Sequence, residues 1–244
     1  MLPHFEVDAK VDHVSAGNLR VVWIDEVAGE GIGDNRMYAD MTGVGWSDVE
    51  EVIGAEAKLV SDAASRAGGI ADFDRIADQL LDEQYPGEDL DEGPLSEFAL
   101  LDVGVMAAVA SLSAAGCVTT TSCRGHAQRG EANPLVRFSA DGHRLPLIRA
   151  ACTRSGCGLL LDHAGMLQLY AADVLALIDF AKQVLDLRDS FDQIEPEVAC
   201  KRPGDNLLQN YDHDVRWHDL DAMRAQLAAD QPVQCTGQLS LDGT

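Results

Sequence analysis

One segment, residues 95–115 (LSEFALLDVGVMAAVASLSAA), is apolar on nearly every face that an α-helix would present. A helix of this kind must be covered by other elements on several sides, so the segment predicts a central buried helix. The elements that follow alternate in type, and their periodicity predicts the order α-β-β-α-β-β-α over residues 95–188. We therefore expect an α+β fold, a two-layer α/β sandwich with this alternating unit as its core.

The individual elements are predicted from apolar and β-branched runs that lie between turn signals. Two helices, residues 47–67 and 72–84, precede the central helix, and two strands are expected within residues 1–28. After the central helix, the predicted elements are strands 117–122 and 135–140, helix 144–155, strands 158–163 and 166–170, and helix 172–187. The last two strands are joined by a short turn and predict a hairpin.

Changes in composition divide the chain into three predicted parts. Residues 1–46 are expected to form an N-terminal β segment with an acidic, glycine-rich loop, and residues 47–190 the α/β core domain. Residues 191–244 form a polar C-terminal extension with one predicted helix, 218–228. The loop GEGIGD (29–34) does not predict a dinucleotide site, because no apolar helix follows it and acidic residues flank its glycines.

The formal charge of the chain is −23, from 18 basic and 41 acidic residues. A chain of this charge repels nucleic acid and anionic membranes at long range, so a large nucleic acid is not an expected partner. Between residues 71 and 102, eleven acidic residues stand against one arginine; between residues 124 and 154, six arginines stand against two acids. The arginine-rich stretch predicts either recognition of a small anion or ion pairs with the acidic helices.

No run in the sequence is long and apolar enough to cross a bilayer, and the first residues lack the pattern of a secretory signal. We expect a cytoplasmic protein without a membrane partner. Its six cysteines are then expected to be thiols rather than disulfides. Cys123 and His126 have the spacing of a zinc half-site, but no repeated pair of cysteines completes it, so zinc is the less favoured interpretation.

The stretch TTTSCRGH, residues 119–126, places several reactive side chains in the turn after a predicted strand. Cys123 is a candidate nucleophile because a neighbouring arginine and histidine favour a thiolate, and His126 is a candidate base. Asp102 is the one charge in the apolar part of the central helix and needs a partner, which this turn could supply. The candidate catalytic residues are thus Asp102, Cys123 and His126, and the candidate ligand-binding residues are Thr121, Ser122, Arg124 and Gly125.

Residues 101–141 resemble the tRNA wybutosine-synthesising methyltransferase family, the third enzyme of that pathway. Its members carry an aspartate on a helix, a strand that ends in TTSSCSGR and a strand that ends in a Ser-His-Asp-like element. The counterparts here are Asp102, TTTSCRGH and VRFSAD (136–141), although His126 stands where the family has arginine and no lysine precedes Asp102 in GPLSEFALLD. The resemblance implies S-adenosylmethionine as cofactor, methyl transfer as reaction, and further ligand-binding residues Arg137, Ser139 and Asp141.

Two classes of function remain open from the sequence. The first is a small-ligand-binding protein or enzyme that takes an anionic or nucleotide-like compound at residues 119–126, with methyl transfer as the reaction implied by the resemblance. It predicts that Asp102, Cys123, Arg124 and His126 converge. The alternative is an acidic, non-enzymatic module that binds a basic protein, as an inhibitor, an immunity protein or a nucleic-acid mimic does, through Asp82, Glu83, Glu88, Asp89, Asp91 and Glu92.

Overall fold

The computed structural model describes residues 1–22, 41, 43–85, 95, 98–126, 131–162 and 165–195. All of them belong to one compact unit, Met1–Glu197. The GEGIGD loop, most of the predicted C-terminal extension and the predicted helix 218–228 lie outside the described residues. The division of the chain at residues 46/47 and 190/191 stays a prediction.

The described elements combine helices with one antiparallel sheet, which confirms the α+β class. The helices are α1 (Trp46–Arg66), α2 (Ile70–Gln84), α3 (Met106–Ala114), α4 (Leu145–Ser155), α5 (Val174–Asp186) and α6 (Arg188–Phe191). The strands are β1 (Val118–Cys123), β2 (Leu135–Ser139), β3 (Gly158–Leu161) and β4 (Leu167–Tyr170). None of the helices in the described part is both long and apolar enough to span a membrane.

The four strands lie in the order β1-β2-β4-β3, and each neighbouring pair is antiparallel. The predicted hairpin is confirmed as β3 and β4. Strand β1 pairs with β2 so that Cys123 lies opposite Leu135 at the end of the ladder. The register therefore places the turn after β1 at the end of the sheet where the β1–β2 ladder stops.

Helix α3 is the predicted central helix, and every residue from Met106 to Leu112 is buried. It packs against α1, α5 and β1, while α5 also contacts α4 and α1. Buried residues recur every three or four positions along α1, as expected for an amphipathic helix with one face directed at the core. Its buried members are Val49, Val52, Ile53, Glu56, Leu59, Val60 and Ala63.

The predicted start of the central helix at residue 95 is wrong, because α3 begins only at Met106 and residues 98–105 form turns. Gly104 has φ +108°, a conformation outside the helical region that glycine adopts readily. Its position is also crowded, since a Cβ atom there would lie 2.5 Å from Val174 Cγ1. As a consequence Asp102 lies in a turn before the helix and not on the helix itself.

The N-terminus of α3 is capped by a buried carboxylate from another helix. Glu56 of α1 accepts hydrogen bonds from the N–H groups of Gly104, Met106 and Ala107 at 2.6, 2.9 and 2.8 Å. Met106 and Ala107 are donors that an α-helix leaves unpaired in its first turn, and Gly104 lies just before the N-cap residue, Val105. Burial raises the pKa of Glu56 to about 7, although the three N–H groups lower it.

The two strands predicted within residues 1–28 are not found in residues 1–22, the part of that range that the structure describes. This segment instead contains a short 3-10 helix, Ala16–Asn18, and makes one parallel bridge, between Val11 and Leu159 of β3. Val14 and Leu19 are buried in the same core as the helices. The alternating sequence thus reflects one-sided burial of a chain that lies on the core, which gives the same pattern as a strand.

Candidate functional site

The turn after β1 is fixed by a glycine in a left-handed conformation. Gly125 has φ +80°, and a Cβ atom at this position would lie 2.7 Å from the carbonyl carbon of Asn133. The next residue is held by a backbone hydrogen bond from His126 N–H to the carbonyl of Glu131, at 2.9 Å. Only glycine fits this position without strain, so Gly125 directs His126 back towards the end of β1.

Three of the four side chains predicted to converge lie in a single cluster. One ligand-type atom of each of Asp102, Cys123 and His126 lies within 4.8 Å of the other two. His126 Nε2 is 3.6 Å from Asp102 Oδ2, and Asp102 Oδ2 also accepts a hydrogen bond from the backbone N–H of Arg124 at 3.1 Å. The Cys123 sulfur accepts a hydrogen bond from Gly125 N–H at 3.4 Å. The candidate catalytic residues are therefore neighbours in space.

His126 stands between two carboxylates. Its Nδ1 lies 3.0 Å from Oδ2 of Asp74 on α2, on the side of the ring opposite to Asp102. The imidazole is largely buried, with 11% of the side chain exposed. A carboxylate at Nδ1 keeps the proton on that nitrogen and leaves Nε2 free to accept a proton or a metal ion.

The Arg124 side chain is committed to the acidic helix α2. Its Nε lies 3.1 Å from Asp74 Oδ1 in an ion pair, and one terminal nitrogen lies 2.8 Å from Asp78 Oδ1. Only 2% of the side chain is exposed. Of the two interpretations of the arginine-rich stretch, pairing with the acidic helices is the correct one for Arg124, because the guanidinium is turned inwards.

The cluster of Asp102, Cys123 and His126, together with the ion-paired side chains of Asp74, Asp78 and Arg124 beside it, is called the centre below. The net charge of this centre is negative. The carboxylates of Asp74, Asp78 and Asp102 carry three negative charges and Arg124 one positive charge, which gives −2 with His126 neutral. The backbone N–H groups of Arg124, Gly125 and His126 are all engaged within the protein. The described turn therefore offers little to an anion and favours positive charge in a ligand.

The ligand-binding residues implied by the resemblance lie in other contacts. Arg137 forms an ion pair with Asp162, with Nε 2.6 Å from Oδ2. Ser139 is buried and exchanges hydrogen bonds with the backbone of the N-terminal segment, to Arg20 O at 2.7 Å and from Val22 N at 3.0 Å. These contacts connect the sheet to its neighbours.

Asp141 is also engaged inside the fold. It accepts hydrogen bonds from the N–H groups of His143 and Arg144, both at 2.9 Å, ahead of α4, and forms an ion pair with the Arg144 guanidinium. Thr121 and Ser122 are half-buried on β1, opposite Arg137 and Val136 of β2. The structure thus brings together the residues of the turn and Asp102, and it leaves Arg137, Ser139 and Asp141 outside that cluster.

Two members of the centre were not among the candidate site residues. Asp74 and Asp78 lie one helical turn apart on α2, so they share a face, and that face receives Arg124 and His126. The signal available in the sequence was the match between the acidic helix and the arginine-rich stretch. This match did not identify which acidic residue pairs with which basic residue, because the pairing depends on how α2 packs against the rest of the fold.

Cys123 differs from the other described cysteines in its surroundings. Burial raises the pKa of Cys117 and of Cys157 to about 12, and it raises the pKa of Cys152 well above its usual value. These thiols stay protonated at neutral pH and are therefore poor nucleophiles. Cys123 is also buried, with 9% of the residue exposed, but it ends a strand beside a histidine and accepts an N–H hydrogen bond.

We expect Cys123 to react with iodoacetamide at pH 8 at least about tenfold faster than Cys117, Cys152 or Cys157 in the folded, metal-free chain. Mass mapping of the full-length C200S/C235S variant, in a chelator, measures all four rates in one sample. Denatured protein serves as the control, in which the four thiols should react at similar rates. Equal rates for Cys123 and for Cys117, Cys152 and Cys157 in the folded chain would contradict a reactive thiol at Cys123.

Comparison of the chain with protein-family models, with curated proteins and with solved structures finds no match. The resemblance of residues 101–141 to the wybutosine-synthesising methyltransferases stays a prediction.

Proposed function

We propose that this chain is an enzyme that binds a small ligand at the turn after β1 and catalyses transfer of a group. The observation that carries the proposal is the position of His126, which lies between Asp74 and Asp102 and beside Cys123. Buried histidines with a carboxylate partner on one nitrogen are a common arrangement for proton transfer. Each contact alone also occurs in structural ion networks, but the thiol in the same cluster adds a reactive group.

His126 is the acid–base group in this proposal. The Asp74 carboxylate accepts a hydrogen bond from Nδ1–H and stabilises the imidazolium when Nε2 takes up a second proton. Nε2 faces the side of the cluster that contains Asp102 and Cys123. Asp102 and Cys123 form the wall against which the ligand binds, and Asp74 positions the histidine.

The negative charge of the centre indicates the kind of group that is transferred. A ligand with a positively charged centre would be favoured next to Asp102, and the sulfonium of S-adenosylmethionine is such a centre. The resemblance implies the same compound. In methyl transfer, the carbon–sulfur bond breaks, the sulfonium becomes a neutral thioether, and the methyl group bonds to a nucleophile of the acceptor. His126 would take the proton that the acceptor loses.

Calorimetric titration of the full-length protein with S-adenosylmethionine and with S-adenosylhomocysteine tests this proposal. We expect S-adenosylmethionine to bind about tenfold more tightly, because the demethylated compound lacks the positive charge. The D102N and H126N variants should lose most of this preference. The H143N variant, which changes an exposed histidine, is the matched control and should bind like the wild type.

Two outcomes would overturn the proposal. One is the absence of binding by either compound, and the other is binding that is equal for the two compounds and unchanged in D102N and H126N. Circular dichroism of each variant shows whether a loss of binding reflects the site or a loss of fold.

The protein-binding alternative gains no specific support from the described residues. Asp74 and Asp78 are paired with Arg124, and Asp72 is paired with Arg75. Of the six acids assigned to a basic partner, Asp82 and Glu83 are exposed on α2 and the other four lie outside the described residues. A basic protein partner therefore stays a prediction.

A further inference from the structure

Three side chains of the centre are a thiol, an imidazole and a carboxylate within reach of one another, and we propose that Asp102, Cys123 and His126 together bind one Zn²⁺ ion. Each supplies an atom that zinc accepts as a ligand, and the three atoms lie within 4.8 Å of one another. Among the residues that the structure describes, this is the one group of three such side chains with this geometry. Thiolate and imidazole ligands favour zinc over magnesium or calcium, which prefer oxygen.

The distances between the three ligand atoms are close to those between the ligands of a zinc ion in a tetrahedral site. Ligands at tetrahedral zinc lie roughly 3.3–3.8 Å apart, as follows from metal–ligand distances of about 2.0–2.3 Å. His126 Nε2 and Asp102 Oδ2 are already 3.6 Å apart. Binding therefore requires the sulfur of Cys123 and its neighbours to approach by about an ångström or less, which side-chain rotation at the end of β1 can provide.

The surroundings of His126 fit a metal ligand. Asp74 contacts Nδ1 at 3.0 Å, so the other nitrogen, Nε2, is the one that faces the cluster. A carboxylate behind a coordinating histidine fixes the ring and raises the basicity of the ligand nitrogen. Asp102 is likewise held in place by the backbone N–H of Arg124.

The negative charge of the centre also favours the binding of a cation. The carboxylates of Asp74, Asp78 and Asp102 exceed the Arg124 guanidinium by two formal charges. Asp74 is mostly buried, Asp102 is one-third exposed and Asp78 is 53% exposed, so solvent screens this excess only in part and a cation beside Asp74 and Asp102 offsets the remaining repulsion. Zn²⁺ supplies that compensation.

Three protein ligands leave a fourth position on zinc open, as in catalytic zinc sites. If the chain is the enzyme proposed above, zinc would bind His126 Nε2, so the ion at this fourth position would activate the acceptor in place of the free imidazole. This role rests on the proposed function. Zinc binding itself does not, because it follows from the three ligands and can be measured without any substrate.

The test is a titration of the metal-free, full-length C200S/C235S protein with Zn²⁺ by calorimetry and with Co²⁺ by absorption spectroscopy. We expect one ion per chain and a cobalt spectrum with tetrahedral d–d bands and a thiolate charge-transfer band. C123S should abolish the charge-transfer band, and both C123S and H126N should weaken Zn²⁺ binding by about 100-fold. D74N should weaken it by about tenfold, because Asp74 only positions His126.

Matched controls are H143N and D82N, which change an exposed histidine and an exposed carboxylate and should leave the affinity unchanged. If a variant fails to fold, the parent protein, in which all three ligands are intact, still tests the site. In the parent, Zn²⁺ should slow the reaction of Cys123 with iodoacetamide. Three results would each overturn the zinc site. They are the absence of a bound ion, a Zn²⁺ affinity in C123S and H126N equal to that of the parent, and a rate of reaction of Cys123 with iodoacetamide that Zn²⁺ does not change. S-adenosylmethionine binding without zinc binding would leave the proposed function standing and remove only this inference.

Discussion

Replacing Glu56 with alanine is expected to lower the free energy of unfolding by about 3–5 kcal/mol. The carboxylate is fully buried and accepts hydrogen bonds from three N–H groups at the start of α3. Without it, those N–H groups stay buried and unpaired, at a cost of about 1–3 kcal/mol each. Urea denaturation of the wild type and of E56A at pH 7 measures the difference.

Two further variants separate capping from other effects of the substitution. E56Q keeps one oxygen as acceptor but directs an amide N–H group at a backbone donor, so we expect about half of the loss seen in E56A. E51A removes an exposed glutamate from the same helix and should change the free energy of unfolding by less than about 0.5 kcal/mol. A value for E56A as small as that for E51A would contradict the capping role.

The raised pKa of Glu56 gives this prediction a pH dependence with a definite sign. In the folded chain the pKa is about 7, against an ordinary value of 4.5, so the folded state holds its proton more tightly than the unfolded state. The resulting stability is complete below the unfolded pKa and is lost as the pH rises through the folded pKa. The free energy of unfolding of the wild type, relative to E56Q, should fall by about 2–3 kcal/mol from pH 5 to pH 8. A rise over this range would contradict it.

Replacing Arg124 with methionine is expected to lower the free energy of unfolding by about 3 kcal/mol. Arg124 is almost fully buried and pairs with both Asp74 and Asp78. Asp74 is itself mostly buried, so removing the guanidinium leaves its carboxylate without that compensating charge. The comparison of R124M with the wild type by urea denaturation measures the loss.

A double-mutant cycle tests whether the loss comes from the ion pair. In R124M/D74N the charge left behind by R124M is absent, so the double variant should be more stable than the sum of the single effects predicts, by about 1 kcal/mol or more. D78N removes a carboxylate that is 53% exposed and should cost less than about 1 kcal/mol. Strict additivity of R124M and D74N would show that Arg124 acts through packing alone.

The regular elements of the core could be predicted because their sequence patterns are local. Strands β1 to β4 and helices α4 and α5 begin and end within a few residues of the predicted positions, and the turn signals gave the β3–β4 hairpin. The apolar composition of residues 106–112 correctly indicated burial on all sides. The start of α3 could not be predicted in this way, because its cap, Glu56, comes from a helix about fifty residues earlier.

Glu56 itself carried a signal in the sequence. It occupies a position that the periodicity of α1 assigns to the core, between Ile53 and Leu59, and a charged residue there requires partners. In the candidate site, the residues of the turn and Asp102 were predicted from the sequence, whereas Asp74 was not. The contact between Asp74 and His126 depends on the packing of α2 against the end of β1, which no local pattern specifies.

The central claim is that Asp102, Cys123 and His126 form one binding centre, and a native mass spectrum of the full-length protein tests it most directly. The protein is purified without chelator, and its native mass is compared with its denatured mass beside the H126N and H143N variants. We predict an excess mass of one zinc ion, or of a bound small ligand, in the wild type and in H143N but not in H126N. A bare mass in the wild type after addition of zinc and S-adenosylmethionine, or the same excess in H126N, would contradict the claim.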